Sequence, residues 1–131
     1  MPLDPEPLFL ELEEILEIHS DQLNHYGGSD GIRDMGLLQS AIAMPRAQFG
    51  GQFLHANLFE MAAAYLFHLV QNHPFIDGNK RVGAAVADIF LAMNHIDLTA
   101  NERAYEKLVL AVSRGKIGKP ELADFLRRHS R

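Results

Sequence analysis

Apolar residues along this chain recur at intervals of three and four, the spacing of one helical face. From Glu11 to Asn24 the residues Leu12, Ile15, Leu16, Ile18 and Leu23 form such a stripe, closed by the turn cluster Tyr26-Gly27-Gly28-Ser29-Asp30-Gly31. Two later stretches are apolar almost all round: Asn57 to Gln71, and Val82 to Met93 with only Asp88 polar in its interior. Helices of that kind belong in the middle of a bundle. Shorter helices are predicted over Met35 to Ala43, capped by Asp34 and ended before Pro45. Another opens on a capping box, Thr99-Ala100-Asn101-Glu102, and runs to about Arg114. Gly115 and Gly118 break it, and Pro120, as first helical residue, starts a last helix through about Arg128. The pattern predicts an all-α fold of about six helices. His19, beside the first stripe, is read as a satisfied core histidine, and His68 and Asp88 as structural polar groups in need of partners.

Composition narrows this picture. A chain of 131 residues suits one domain over 1–131, with its core from about residue 9, after an extended, proline-bearing start at Pro2, Pro5 and Pro7. The net charge of −5 argues against direct nucleic-acid binding or attraction to anionic membranes. Asp4, Glu6, Glu11, Glu13, Glu14 and Glu17 give the N-terminal end of the chain an acidic face, read as solvated. There is no cysteine, no signal-peptide pattern and no apolar run of bilayer length, so a cytoplasmic protein is expected.

The chemistry is concentrated between the two apolar helices, in His73-Pro74-Phe75-Ile76-Asp77-Gly78-Asn79-Lys80-Arg81. His73 can accept a proton near neutral pH. Asp77 is a hard oxygen ligand suited to Mg²⁺. Gly78 allows a turn or a close approach to a ligand. Asn79 is expected as N-cap, with Lys80, Arg81 and Val82 in the first helical turn, where free N–H groups attract anions. Cations at that end oppose the helix dipole, a conflict that a bound polyphosphate would remove. Taken singly, each residue reads as part of an ordinary capped turn. Taken together, a base, a metal carboxylate and a cationic nest point to chemistry on a nucleotide phosphate.

These nine residues resemble the motif of the Fic/Doc superfamily, His-x-Phe-x-Asp/Glu-Gly-Asn-Gly/Lys-Arg, and match it throughout. The chain looks most like the Doc (death-on-curing) toxin branch of toxin–antitoxin systems. Lys80 stands where Fic-type nucleotidyl transferases carry Gly, and Ala84 where they usually carry a second Arg. Tyr26-Gly27-Gly28 and Gly31-Ile32-Arg33-Asp34 also look Doc-like, and the resemblance runs from about Phe9 to the C-terminus.

The resemblance implies a Fic/Doc helical bundle with the motif loop at the start of a buried central helix. It implies ATP and Mg²⁺ as cofactors, with His73 taking a proton from a protein hydroxyl and Asp77 holding the metal. Gly78, Asn79, Lys80 and Arg81 would bind phosphates, and Phe75 would anchor the loop. The expected reaction is transfer of the γ-phosphate to a threonine of elongation factor Tu, which blocks translation. AMP transfer of the Fic type is the alternative; Lys80 and Ala84 favour phosphate. Residues 45–56, with Gly50-Gly51 as a hinge, match the place of a flap that holds the target segment, often by adding a strand. No Ser/Thr-x-x-x-Glu-Gly/Asn inhibitory motif is present, so inhibition is expected in trans from a small antitoxin. Two other readings compete: a non-catalytic helical binding module, and hydrolysis at a His/Asp metal site. The second is disfavoured because Pro74 and Gly78 keep His73 and Asp77 off one regular helical face and a third ligand is not evident.

Overall fold

A computed structural model describes residues 6–131; of the extended start expected over residues 1–8, the first five lie outside the described residues. Six helices form, α1 Leu12–Tyr26, α2 Met35–Ala43, α3 Leu58–Asn72, α4 Asn79–Met93, α5 Glu102–Ser113 and α6 Lys119–Arg128. The two apolar ones, α3 and α4, are central and pack on each other more extensively than any other pair. Gly83 sets their separation: a Cβ there would meet Val70 Cγ2 at 2.9 Å and the Leu66 carbonyl at 3.3 Å. Met61, Tyr65, Leu66, Leu69, Val82, Val86, Phe90 and Leu91 are fully buried between and around them. Helices α2, α5 and α6 lean on α3, and α1 leans on α4. The buried Tyr65 hydroxyl is satisfied by both backbone groups of Leu10, which ties the N-terminal approach to the core. No helix among the described residues is long and apolar enough to cross a membrane.

Four details depart from the sequence expectation. The fold carries one hairpin, β1 Gln48–Phe49 against β2 Gln52–Phe53, after a 3₁₀ turn over Met44–Arg46. Gly50 and Gly51, both at positive φ, make its two-residue turn. Asp88 lies on the exposed side of α4 and needs no partner, because α4 is not covered all round. The cap of α5 is Asn101, whose side chain accepts the N–H groups of Arg103 and Ala104. Thr99 lies two residues before this cap, and its N–H and hydroxyl both donate to the His129 carbonyl. Helix α6 begins one residue early, so Pro120 is its second residue, after Lys119.

Candidate functional site

The motif loop leaves the core at the C-terminus of α3. His73, its first residue, is in the left-handed region (φ 48°, ψ 54°), a conformation that costs a non-glycine residue about 1–2 kcal/mol. It turns the chain off the helix, and its side chain is exposed, with no hydrogen bond to the ring among the described residues. The chain then dives back: Pro74 is buried and Phe75 is 1 % exposed. Burying such a ring contributes about 1.5–3 kcal/mol. The Asn79 amide closes the loop, accepting the Phe75 N–H and donating to the Phe75 carbonyl, both at 2.9 Å.

This use of Asn79 corrects the expected cap. Gly78, at φ 84°, takes the cap position, and Asn79 is the first residue of α4. The first helical bond runs from the Val82 N–H to the Gly78 carbonyl. The N–H groups of Asn79, Lys80 and Arg81 are therefore the ones without a partner one turn back, the donors of an anion nest. The Lys80 and Arg81 side chains are exposed beside them. The Arg81 guanidinium lies over the Tyr26 ring at 4.8 Å from its centre, which holds it without neutralising it. Next to the nest a cleft of about 370 Å³ runs between α4 and α5, lined by Lys80, Arg81, Ala84, Tyr105, Glu106, Val109 and Leu110.

At the far end of the loop, Asp77 is exposed, and each carboxylate oxygen accepts one backbone N–H: Oδ1 from Gly78 at 2.9 Å, Oδ2 from Ser29 at 3.2 Å. One bond per oxygen leaves lone pairs free, so the group remains able to ligate a cation. Among the described residues no set of three His, Asp or Glu side chains forms a protein-only metal site. That suits Mg²⁺, which is commonly held by one or two carboxylates with substrate phosphates and water. The glycine-rich turn is what orients Asp77. Gly28 sits at φ +124°, and a Cβ there would approach Asp77 Oδ2 to 2.8 Å.

Two further residues hold the loop. His19 is 3 % exposed, stacks flat on Phe75 with ring centres 3.9 Å apart, and places Nε2 at 2.9 Å from the Asp77 carbonyl. A carbonyl only accepts, so Nε2 carries the proton. Arg33 donates from Nε to the His73 carbonyl at 2.5 Å and from its terminal nitrogen to the Asn72 carbonyl at 2.8 Å. The segment around it pairs with the loop backbone: the Arg33 and Asp34 N–H groups donate to Pro74, and the Ile76 N–H donates to Gly31. The apolar pattern places His19 as a buried, satisfied group but gives no hint that its partner is the motif. Gly31-Ile32-Arg33-Asp34 is visible as a motif, yet nothing local in it names residues forty positions away.

The hairpin that corresponds to the expected flap is held at its base, where Phe53 packs against Phe9 with ring centres 5.7 Å apart. Phe49, near the tip, is 85 % exposed. A larger cleft of about 520 Å³, between the starts of α3 and α6, contains none of the motif residues. Beside it the Lys119 ammonium donates to His68 Nε2 at 3.1 Å, and burial, with the Lys119 charge, pushes the His68 imidazole down to about 4. His68 thus has the partner that its place in an apolar helix calls for.

Comparison with known proteins follows the same residues. The Fic/DOC family model matches residues 9–91. The chain is 39% identical to Toxin Doc of Mycolicibacterium smegmatis over 93 residues, which cover 71% of this chain and 69% of that protein. It is 30% identical to Protein kinase doc of Escherichia phage P1 over 116 residues, 88% of this chain and 90% of that one.

Proposed function

This chain belongs to the Fic/DOC family, and from that premise we propose that it is the toxin of a toxin–antitoxin pair, a protein kinase that moves the γ-phosphate of ATP to a protein hydroxyl. The observation that carries the reading is the arrangement of the motif loop: an exposed base at one end, an orientable carboxylate at the other, and a cationic helix start between them and the α4–α5 cleft. The names of the two relatives, a toxin and a protein kinase, support the same reading.

In this mechanism the His73 imidazole takes the proton of the target hydroxyl as its oxygen attacks the γ-phosphorus. The bond from that phosphorus to the bridging oxygen breaks, and ADP leaves. A positioned general base is worth about 10²–10⁴-fold. The N–H groups of Asn79, Lys80 and Arg81, with the two side-chain cations, hold the phosphates and stabilise the negative charge in flight. The Asn79 side chain contributes by closing the loop, while its backbone N–H faces the anion. Asp77 would hold Mg²⁺, which when bound neutralises phosphate charge. Gly78 keeps the backbone bare where the phosphates approach.

Transfer of AMP would require the β- and γ-phosphates to lie deepest in the nest. Lys80 adds bulk and charge there, and Ala84, one turn along on the cleft wall, offers no cation to them. Both features favour γ-phosphoryl transfer. By resemblance the target is a threonine of elongation factor Tu, the setting is the cytoplasm, and the inhibitor is a small antitoxin that covers the site in trans.

The test uses the purified chain, Mg²⁺, a bacterial extract, and ATP labelled at the α- or the γ-phosphate. Labelling of a protein band from γ alone, lost in His73→Ala, is the expected result. Labelling from α would replace the kinase reading with nucleotidyl transfer. Nucleotide binding without transfer of either label to purified elongation factor Tu would favour the non-catalytic module.

A further inference from the structure

The base of the motif is the residue least able to hold its own backbone in place. His73 stands in the left-handed region without being glycine, at the end of a helix whose last carbonyls have no helical partner. A residue in that state keeps one conformation only if its surroundings impose it. The imidazole hangs from this backbone with no hydrogen bond of its own among the described residues, so its aim follows the backbone.

Arg33 supplies what is missing. Its guanidinium spans the Asn72 and His73 carbonyls, with charge-assisted bonds of 2.8 and 2.5 Å, at the negative end of the α3 dipole. The planar fork holds two neighbouring carbonyls in one fixed geometry, which the freely rotating donors of an ammonium impose less rigidly. Arg33 is itself held from both sides. Its N–H donates to the Pro74 carbonyl at 2.7 Å, and the Asp34 N–H donates to the same oxygen at 3.0 Å. The Asp34 side chain caps α2 through the Leu37 N–H, and the Asn72 amide reaches back to the Leu37 carbonyl. The circuit from α2 to Arg33, to the end of α3 and back to α2 is closed.

We infer that Arg33 is a positioning residue for His73: its guanidinium fixes the left-handed turn from which the base is aimed, without touching substrate. The inference rests on His73 being the base of the proposed transfer, and its test separates the two. Arg33→Ala and Arg33→Lys are compared with the parent by amide exchange and by steady-state transfer of the γ-label. In Arg33→Ala, exchange of the Ile76 and Asp34 amides should speed at least tenfold while Leu66, deep in α3, is unchanged. The kcat should fall about ten- to a hundredfold, with KM for ATP within about twofold, because the nest at α4 is intact. Arg33→Lys should recover a small part of kcat and of the exchange protection together.

Unchanged exchange and unchanged kcat in Arg33→Ala would overturn the inference. So would a kcat loss accompanied by equal loosening of Leu66, which would make Arg33 a general structural residue. If the parent transfers no label, the kinase reading fails, and the exchange arm alone still decides whether Arg33 holds the turn.

Discussion

The motif loop and the hairpin at Gln48–Phe53 are of similar length and both carry exposed side chains, yet their backbones are held in opposite ways. The motif loop is bonded along its length to other parts of the chain. Arg33 takes its first carbonyl, Gly31 and Asp34 pair with its middle, Asn79 staples Phe75, and His19 and Ser29 hold Asp77. The hairpin bonds chiefly to itself and rests on the core through Phe53. On the proposed function the difference follows two tasks. A base and a metal carboxylate would have to stand within a fraction of an ångström of productive geometry, which a loop achieves only when its backbone is over-determined. A strand edge that receives an extended target gains from open backbone groups and a turn that can adjust.

Breaking the rigid side has the largest expected effect. His73→Ala should lower γ-label transfer by about 10²–10⁴-fold, in line with removal of a positioned general base. The melting temperature should move little, because the side chain is exposed and alanine meets the same left-handed strain as histidine. Loss of cooperative unfolding in the variant would mean that His73 serves the fold instead.

Gly28→Ala attacks the same loop from outside the motif. The new Cβ would crowd Asp77 Oδ2, at 2.8 Å, on a backbone at φ +124°. Displacing a residue that orients a metal ligand typically costs about 10–100-fold in metal affinity. The Mg²⁺ concentration for half-maximal nucleotide binding should rise by about that factor, and in Asp77→Ala by at least as much. A metal requirement that stays put in both would remove Asp77 from the metal site.

These two positions also mark how far the sequence can be read. The helices were legible because burial of α3 and α4 leaves long apolar runs, and the motif was legible because its nine residues are contiguous. Asn79 sits one position past its expected place, since a cap and a staple use the same residue type and only the path of Phe75 separates them. The capping box at Thr99 failed for a related reason: the C-terminal segment, pairing at Leu98–Ser130, claims Thr99 first. Nothing local assigns His19, Arg33 and Gly28 to the site, because their partners lie about forty to sixty residues on. Such bonds are set by the packing of α1 and α2 against the centre, and local pattern carries no record of them.

On the open side the expected effect is smaller and of a different kind. Phe49→Ala removes an 85 % exposed ring from the hairpin tip. If the hairpin receives the target, KM for the protein substrate should rise about tenfold, equivalent to about 1.4 kcal/mol. The kcat, KM for ATP and melting temperature should stay near the parent values. A fall in kcat with unchanged KM would place the hairpin with the motif loop, and the contrast between the two would disappear.

The smallest effect concerns stability away from both loops. His68 is held neutral, at about 4, first by burial and then by the Lys119 charge. His55, lowered first by burial and then by Lys119, acts in the same direction, with Glu60 opposing. In the unfolded chain both imidazoles titrate near 6.5. Between that value and the lowered ones the unfolded state binds more protons, so the stability present above pH 6.5 is lost as pH falls toward 4. The melting temperature of the parent should therefore drop by a few degrees from pH 6.5 to 5, above the main carboxylate range. Lys119→Met removes one cause of the lowering, and its drop should be shallower. If the parent curve is flat over that interval, the imidazoles of His55 and His68 are not buried as neutral groups.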